Sequence, residues 1–202
     1  MLEFTIEDKT FSLPVSWEQV TVGQYLNIQA IEGQHYNQKL KALILEAVSG
    51  IPYETICKCS LSQIENMNSV LQFIQSPPEF KEWKLPDTYK LNGKDVEIPK
   101  DLKTESLGQR IAFEQIIFPA ITATGDIVTV MDKAVAIYIQ PTFTGTPFDE
   151  KEYAKVIPLV RESLLIEAHP IASFFFREFK ASLKQNQKHS KEAQTLMQSM
   201  QE

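Results

Sequence analysis

The residues best suited to chemistry in this chain are His35, His169 and His189, Cys57 and Cys59, and the adjacent carboxylates Asp149 and Glu150. Histidines hold a metal when they stand at ligand spacing, for example i, i+4 on one helix face. These three fall in different predicted elements, and none has a histidine, cysteine or carboxylate pair in that register. Cys57-Lys58-Cys59 has one residue between its thiols where a redox pair needs two, so both are expected as small buried apolar side chains. Asp149 and Glu150 open a predicted helix, where carboxylates offset the helix dipole without any catalytic task. The seven glycines, at 23, 33, 50, 93, 108, 125 and 145, are dispersed, and no loop can bring clustered amides to a phosphate. No G-x-S-x-G occurs and no nucleophile has a nearby base. No catalytic, cofactor-binding or metal residue is therefore assigned, and a non-enzymatic role is expected.

Composition narrows the alternatives. A net charge of -6 repels phosphate backbones, so a general nucleic-acid binder is not expected. The longest apolar stretch, 116–123, is interrupted by Pro119 and falls short of the roughly 20 residues of a membrane span. Glu3, Glu7 and Asp8 break up the N-terminus as a secretory signal, and two cysteines one residue apart cannot staple distant segments. A reducing, intracellular setting is expected. With 202 residues the chain is long enough for one large domain or two small ones.

The elements that organise these residues occur twice. Residues 4–31 align without gaps to residues 89–116 at an offset of 85, with Lys9/Lys94, Pro14/Pro99, Gly23/Gly108, Gln24/Gln109 and Ile31/Ile116 identical. Physical roles match more closely than identities. Asn92-Gly93 is a strong two-residue hairpin signal, and Glu7-Asp8 is its weaker counterpart. These turns place Phe4, Ile6, Phe11 and Leu13 on one face of the first hairpin and Tyr89, Leu91, Val96 and Ile98 on that of the second. Pro14 or Pro99 then ends the ribbon. Thr21 with Gln24, and Ser106 with Gln109, form capping boxes that start a helix in each copy. Val20 and Tyr25 add a hydrophobic staple in the first copy, and Glu105 takes the place of Val20 in the second. Further on, Gly50-Ile51-Pro52-Tyr53-Glu54 matches Gly145-Thr146-Pro147-Phe148-Asp149, a helix stop followed by a helix start.

Between these signals, Leu40, Leu43, Ile44, Ala47 and Val48, and then Leu61, Ile64, Met67, Leu71 and Ile74, recur at helical spacing as buried faces. Ser76-Pro77-Pro78 opens the junction between copies. Segment 127–140 suits a strand or a helix, with a helix favoured over 132–140 by analogy with 40–48, and Tyr153, Val156, Ile157 and Val160 mark another helix that Pro158 should kink or restart. From about Pro170 a long C-terminal helix should bury Phe174, Phe175, Phe179 and Leu183 and carry Arg177, Lys180, Lys184, Lys188 and Lys191 on another face. Lys180, Lys184 and Lys188, with Leu196, Met197 and Met200 at helical spacing in the polar tail, are the candidate partner-binding residues. The expected fold class is α+β and mainly helical, divided as 1–85 (first hairpin–helix unit), 86–169 (second) and 170–202 (C-terminal helix and tail).

Leu13-Pro14, the run Ser16-Trp17-Glu18-Gln19-Val20-Thr21-Val22-Gly23-Gln24-Tyr25, the closure Ser49-Gly50-Ile51-Pro52-Tyr53-Glu54 and a later helix around Leu61 to Ile74 carry a resemblance. Over roughly residues 13–75 the chain resembles small morphogenesis proteins of tailed bacteriophages, in particular those of the tail-assembly-chaperone type. The resemblance implies an assembly factor without catalytic residues. Such a protein coats an aggregation-prone phage protein, such as a tape measure, through apolar helix faces in the host cytoplasm. The alternative it allows is a minor structural virion protein, a ring, connector or packaged protein, held as a homo-oligomer in a symmetric array. The duplicated unit and the basic C-terminal helix depart from a minimal version of that family.

Overall fold

A computed structural model of the chain describes residues 1–6, 8–31, 37–124 and 127–199. It is mainly helical with two small antiparallel hairpins, built as two tandem units of like design. In the first, β1 (Leu2–Ile6) pairs with β2 (Lys9–Leu13), and α1 (Val22–Ala30), α2 (Gln38–Ser49), the single turn α3 (Tyr53–Ile56) and α4 (Leu61–Val70) follow. In the second, β3 (Thr88–Leu91) pairs with β4 (Lys94–Glu97), and α5 (Leu107–Thr124), α6 (Met131–Thr144), α7 (Glu150–Glu162) and α8 (Leu165–Ser199) follow.

The hairpins share one register. Phe4 faces Phe11 and Ile6 faces Lys9 in the first, while Tyr89 faces Val96 and Leu91 faces Lys94 in the second, each shifted by the same 85 positions. Asn92 and Gly93 take the positive φ values, 48° and 75°, that a tight hairpin turn demands, and Asp8, the counterpart of Gly93, takes 63°. Glu7, its neighbour in the expected turn, lies outside the described residues. One face of each ribbon is covered: Ile6 and Leu13 are buried, as are Tyr89, Leu91, Val96 and Ile98.

Both capping boxes form. The Gln24 amide N–H is 3.2 Å from Thr21 Oγ1 and Gln24 Oε1 accepts from the Thr21 N–H at 2.8 Å; Gln109 and Ser106 repeat this at 3.2 and 2.9 Å. Each capping glutamine has a second task. Gln24 Nε2 donates to the Val48 carbonyl, near the end of α2, and Gln109 Nε2 donates to the Ile137 carbonyl of α6 at 3.3 Å. Both carbonyls lack a helical donor, because Pro52 and Pro141, four residues on, have no N–H. At the staple positions the copies diverge: buried Val20 and Tyr25 give way to an ion pair, Arg110 Nη1 to Glu105 Oε1 at 2.9 Å.

The two units share a core. Val20, Val22 and Tyr25 from the first unit are buried in one cluster with Tyr89, Phe113, Ile137, Val160, Leu165 and Phe175 from the second. The remainder of the first unit, including Leu13, Leu45, Val48, Ile51, Ile56 and Met67, forms a smaller cluster beside it. At the seam, residue 21 bridges residue 164 antiparallel: the Val22 N–H donates to the Ser163 carbonyl at 3.0 Å and the Leu165 N–H to the Val20 carbonyl at 2.8 Å. Val22 and Leu165 are the first residues of α1 and α8, so two first-turn amides with no acceptor in their own helices satisfy each other's flanking chain. Gly23 permits the approach, since a Cβ there would stand 3.1 Å from the Arg161 carbonyl oxygen.

Several expectations change. The long helix starts at Leu165, ahead of Pro170, because the seam pairing nucleates it there. The α2 face is rotated: Ala42, Leu45 and Val48 are its buried residues, and Leu40 and Leu43 lie half-buried beside it. Leu61 is exposed although Ile64 and Met67 on its helix are buried. Helix α7 runs through Pro158 without restarting, and both Pro158 and Ala154, whose carbonyl the proline leaves without a helical donor, face solvent. Cys57 is exposed and Cys59 half-buried, so the pair is not the buried apolar element expected; the one-turn α3 is too short to cover both.

Candidate interaction surfaces

Buried polar groups in this chain tie elements together. Asp132, within α6 and 1% exposed, receives Arg161 Nε from the end of α7 at 2.7 Å. Glu105 accepts from Arg110 at 2.9 Å and from the Tyr138 hydroxyl at 2.9 Å, linking the start of α5 to α6. Arg110 also donates to Glu114 at 2.9 Å and to Ser182 of α8 at 3.0 Å, and its guanidinium lies 4.3 Å from the centroid of Phe179. Burial opposes charge on Arg110, but the carboxylates of Glu114 and Glu105 outweigh it and hold its pKa above the ordinary value. Burial, reinforced by Glu105, raises the pKa of the Tyr138 phenol; burial also raises that of Tyr89, whose hydroxyl bonds Ser163. Gln140, fully buried, accepts from the Asp149 N–H at 3.1 Å and donates to Thr144 at 2.8 Å, holding the α6–α7 turn. Most of these contacts span element boundaries. Among the described residues no group of three or more His, Cys, Asp or Glu side chains is placed to hold a metal, and no helix is long and apolar enough to cross a membrane.

The exposed surface is more informative. Helix α5 buries Ala112, Phe113, Ile117 and Ala120, while Leu107, Ile111 and Phe118 are exposed on one face at spacings of four and seven, with Glu114, paired to Arg110, between Ile111 and Phe118. Phe118 touches Phe179 of α8, ring centroids 6.3 Å apart, so the far end of the row runs onto the C-terminal helix. There Lys180 is exposed with Nζ 5.1 Å from the Phe176 centroid, and Arg177 lies 5.6 Å from that of Phe174. Of the candidate partner-binding residues, Lys180 is the one placed with its side chain. Lys184, Lys188, Leu196 and Met197 fall on the α8 backbone with side chains outside the described set, and Met200 lies outside the described residues.

Concave sites accompany these faces among the described residues. An apolar cleft of about 330 Å³ is lined by Trp17, Tyr25, Ile28, Leu40, Ile44 and Pro78. A second, of about 220 Å³, opens beside Leu61 between α2, α3 and α4 and is lined by Ala42, Tyr53, Ile56, Cys57 and Ile64. Tyr53 there has its pKa raised, mainly by a hydrogen bond with Cys57. A third, of about 160 Å³, lies where His169 stacks on Phe80, centroids 3.8 Å apart, with Trp83 and Arg177 at its edge. His169 is thus a helix-start residue, the fifth of α8, packed under the linker between units; His35 lies outside the described residues. Sequence reasoning passed over the exposed apolar residues of α5, although a helix with apolar residues on more than one face offers a second face to a partner. Against protein-family models, curated proteins and solved structures, the chain shows no match.

Proposed function

We propose that this chain is a non-enzymatic assembly protein of a tailed bacteriophage, of the tail-assembly-chaperone type. It holds an apolar stretch of another morphogenesis protein in the host cytoplasm. The observation that carries the reading is the exposed apolar row of α5, which continues at Phe118 onto the basic flank of α8. Exposed apolar residues rimmed by charge are the usual form of a protein-binding surface, and an amphipathic partner segment fits along them with its acidic side toward Lys180. The resemblance over residues 13–75 supplies the phage context, and the structural use of the buried ionisable groups agrees with a binding role. Co-expression with the tape measure protein of the same phage tests this. Soluble tape measure should rise several-fold with the wild-type chain and fall back with Phe118→Asp; no change in its solubility contradicts the proposal.

The second reading is a minor virion protein, and exposed apolar residues in both units, Leu107 and Leu61, suit a symmetric array. Mass spectrometry of purified particles separates the two. Stoichiometric presence eliminates a chaperone that leaves.

A further inference from the structure

The seam that joins the two units has a counterpart whose leading leucines no described residue covers, although Phe148 lies against Gly108 where Arg161 lies against Gly23. At the seam the first residue of α1, Val22, and the first residue of α8, Leu165, are both 0% exposed, each closed over by the other unit. Their counterparts in the opposite units are Leu107, the first residue of α5 at the 85-residue offset, and Leu61, the first residue of α4, which follows α3 as α8 follows α7. Leu107 is 75% exposed and Leu61 66% exposed, the two highest values among the large hydrophobic residues described.

The match extends beyond these two residues. Leu26, one turn after Val22, packs against the shared core, and its counterpart Ile111 is exposed one turn after Leu107. Beside Leu61 lies the cleft of about 220 Å³ walled by Ala42, Ile56 and Ile64. The first-turn amides of Leu107 and Leu61 have no acceptor within their own helices, as those of Val22 and Leu165 do not. One difference is material: α3 is a single turn where α7 has 13 residues, so the first unit presents a shallower socket than the second.

We infer that the contact between units is repeated between molecules, with Leu107 and Ile111 of one copy entering the Leu61 cleft of the next. The partner is a second copy of this chain, and the interface is head-to-tail. In the pairing, the Leu107 N–H donates to the Cys59 carbonyl of the next copy and its Leu61 N–H donates to the Glu105 carbonyl. A head-to-tail contact propagates, closing into a ring or continuing as a filament according to the rotation between copies. This goes beyond capture of another morphogenesis protein, which uses the Phe118 end of α5, about 16 Å away along the helix axis.

Sedimentation velocity on the full chain over a concentration series tests the inference. The wild type should assemble past the dimer as concentration rises, and Phe118→Asp should assemble equally. Leu107→Asp and Leu61→Asp should each remain monomeric with unchanged circular dichroism, because each destroys one half of the contact at an exposed site. Mixed together, they should form a dimer and nothing larger, since the intact Leu107 of one still fits the intact cleft of the other. A wild type that stays monomeric, single variants that assemble as it does, or a mixture that stays monomeric overturns the inference.

Discussion

Glu105 shows how one position changes its chemistry while keeping its place. Where the first unit closes its helix start with Val20 against Tyr25, the second uses Glu105 and Arg110 and gains the Tyr138 hydroxyl as a further donor. The substitution of staple by ion pair was visible in the sequence as Glu105, but its consequence was not, because Tyr138 is 33 residues distant and only packing brings it near. The same residues set the response to alkali. The phenols of Tyr138 and Tyr89 are held above the ordinary phenol range, principally by burial. A raised folded-state pKa contributes stability that is complete below the unfolded value of about 10 and is lost as pH rises toward the folded value. Melting temperature should therefore fall steeply above about pH 10, and Tyr89→Phe should flatten that fall while costing about 1 kcal/mol at neutral pH through the lost Ser163 bond. A wild-type melting temperature that stays level to about pH 11 would contradict this placement of the phenols.

At the scale of elements, hairpins and helix starts were legible because local signals specify them: a two-residue turn, a proline stop and a capping box. Helix faces were less so. In Leu40 to Val48 nearly every residue is apolar, and the periodicity admits a face rotated by one position, which the neighbouring elements decide in favour of Ala42, Leu45 and Val48. Pro158 does not end α7, since a helix tolerates proline where the orphaned carbonyl can reach water. Helix stops were legible from glycine: Gly50 at φ 69° and Gly145 at φ 70° end α2 and α6 in the left-handed conformation, each with open space where a Cβ would stand. Alanine there meets strain and no clash. Gly50→Ala and Gly145→Ala should each lower stability by about 1 kcal/mol in urea titrations, and equally within error. A much larger loss at one site would show that the two stops are not equivalent.

For the whole molecule, the alignment of residues 4–31 with 89–116 foretold two like units but not their seam, because the seam partners residues 20–22 with 163–165. No local pattern announces that pairing. Nor did any single exposed residue among the candidates: the basic face of α8 drew attention through charge spacing, whereas Leu107 and Leu61 differ from core leucines only in being left uncovered by the described residues. Seating α1 in the second unit's core is the central claim, since it makes the chain one body and identifies which helix starts are left bare. Equilibrium urea unfolding of Trp83→Phe tests it most directly. Trp17 is then the sole tryptophan and reports the first unit, while the long helices of the second dominate the far-ultraviolet ellipticity. The two signals should trace one coincident transition; tryptophan exposure at clearly lower urea, with ellipticity retained, would show that the units unfold apart and contradict the shared core.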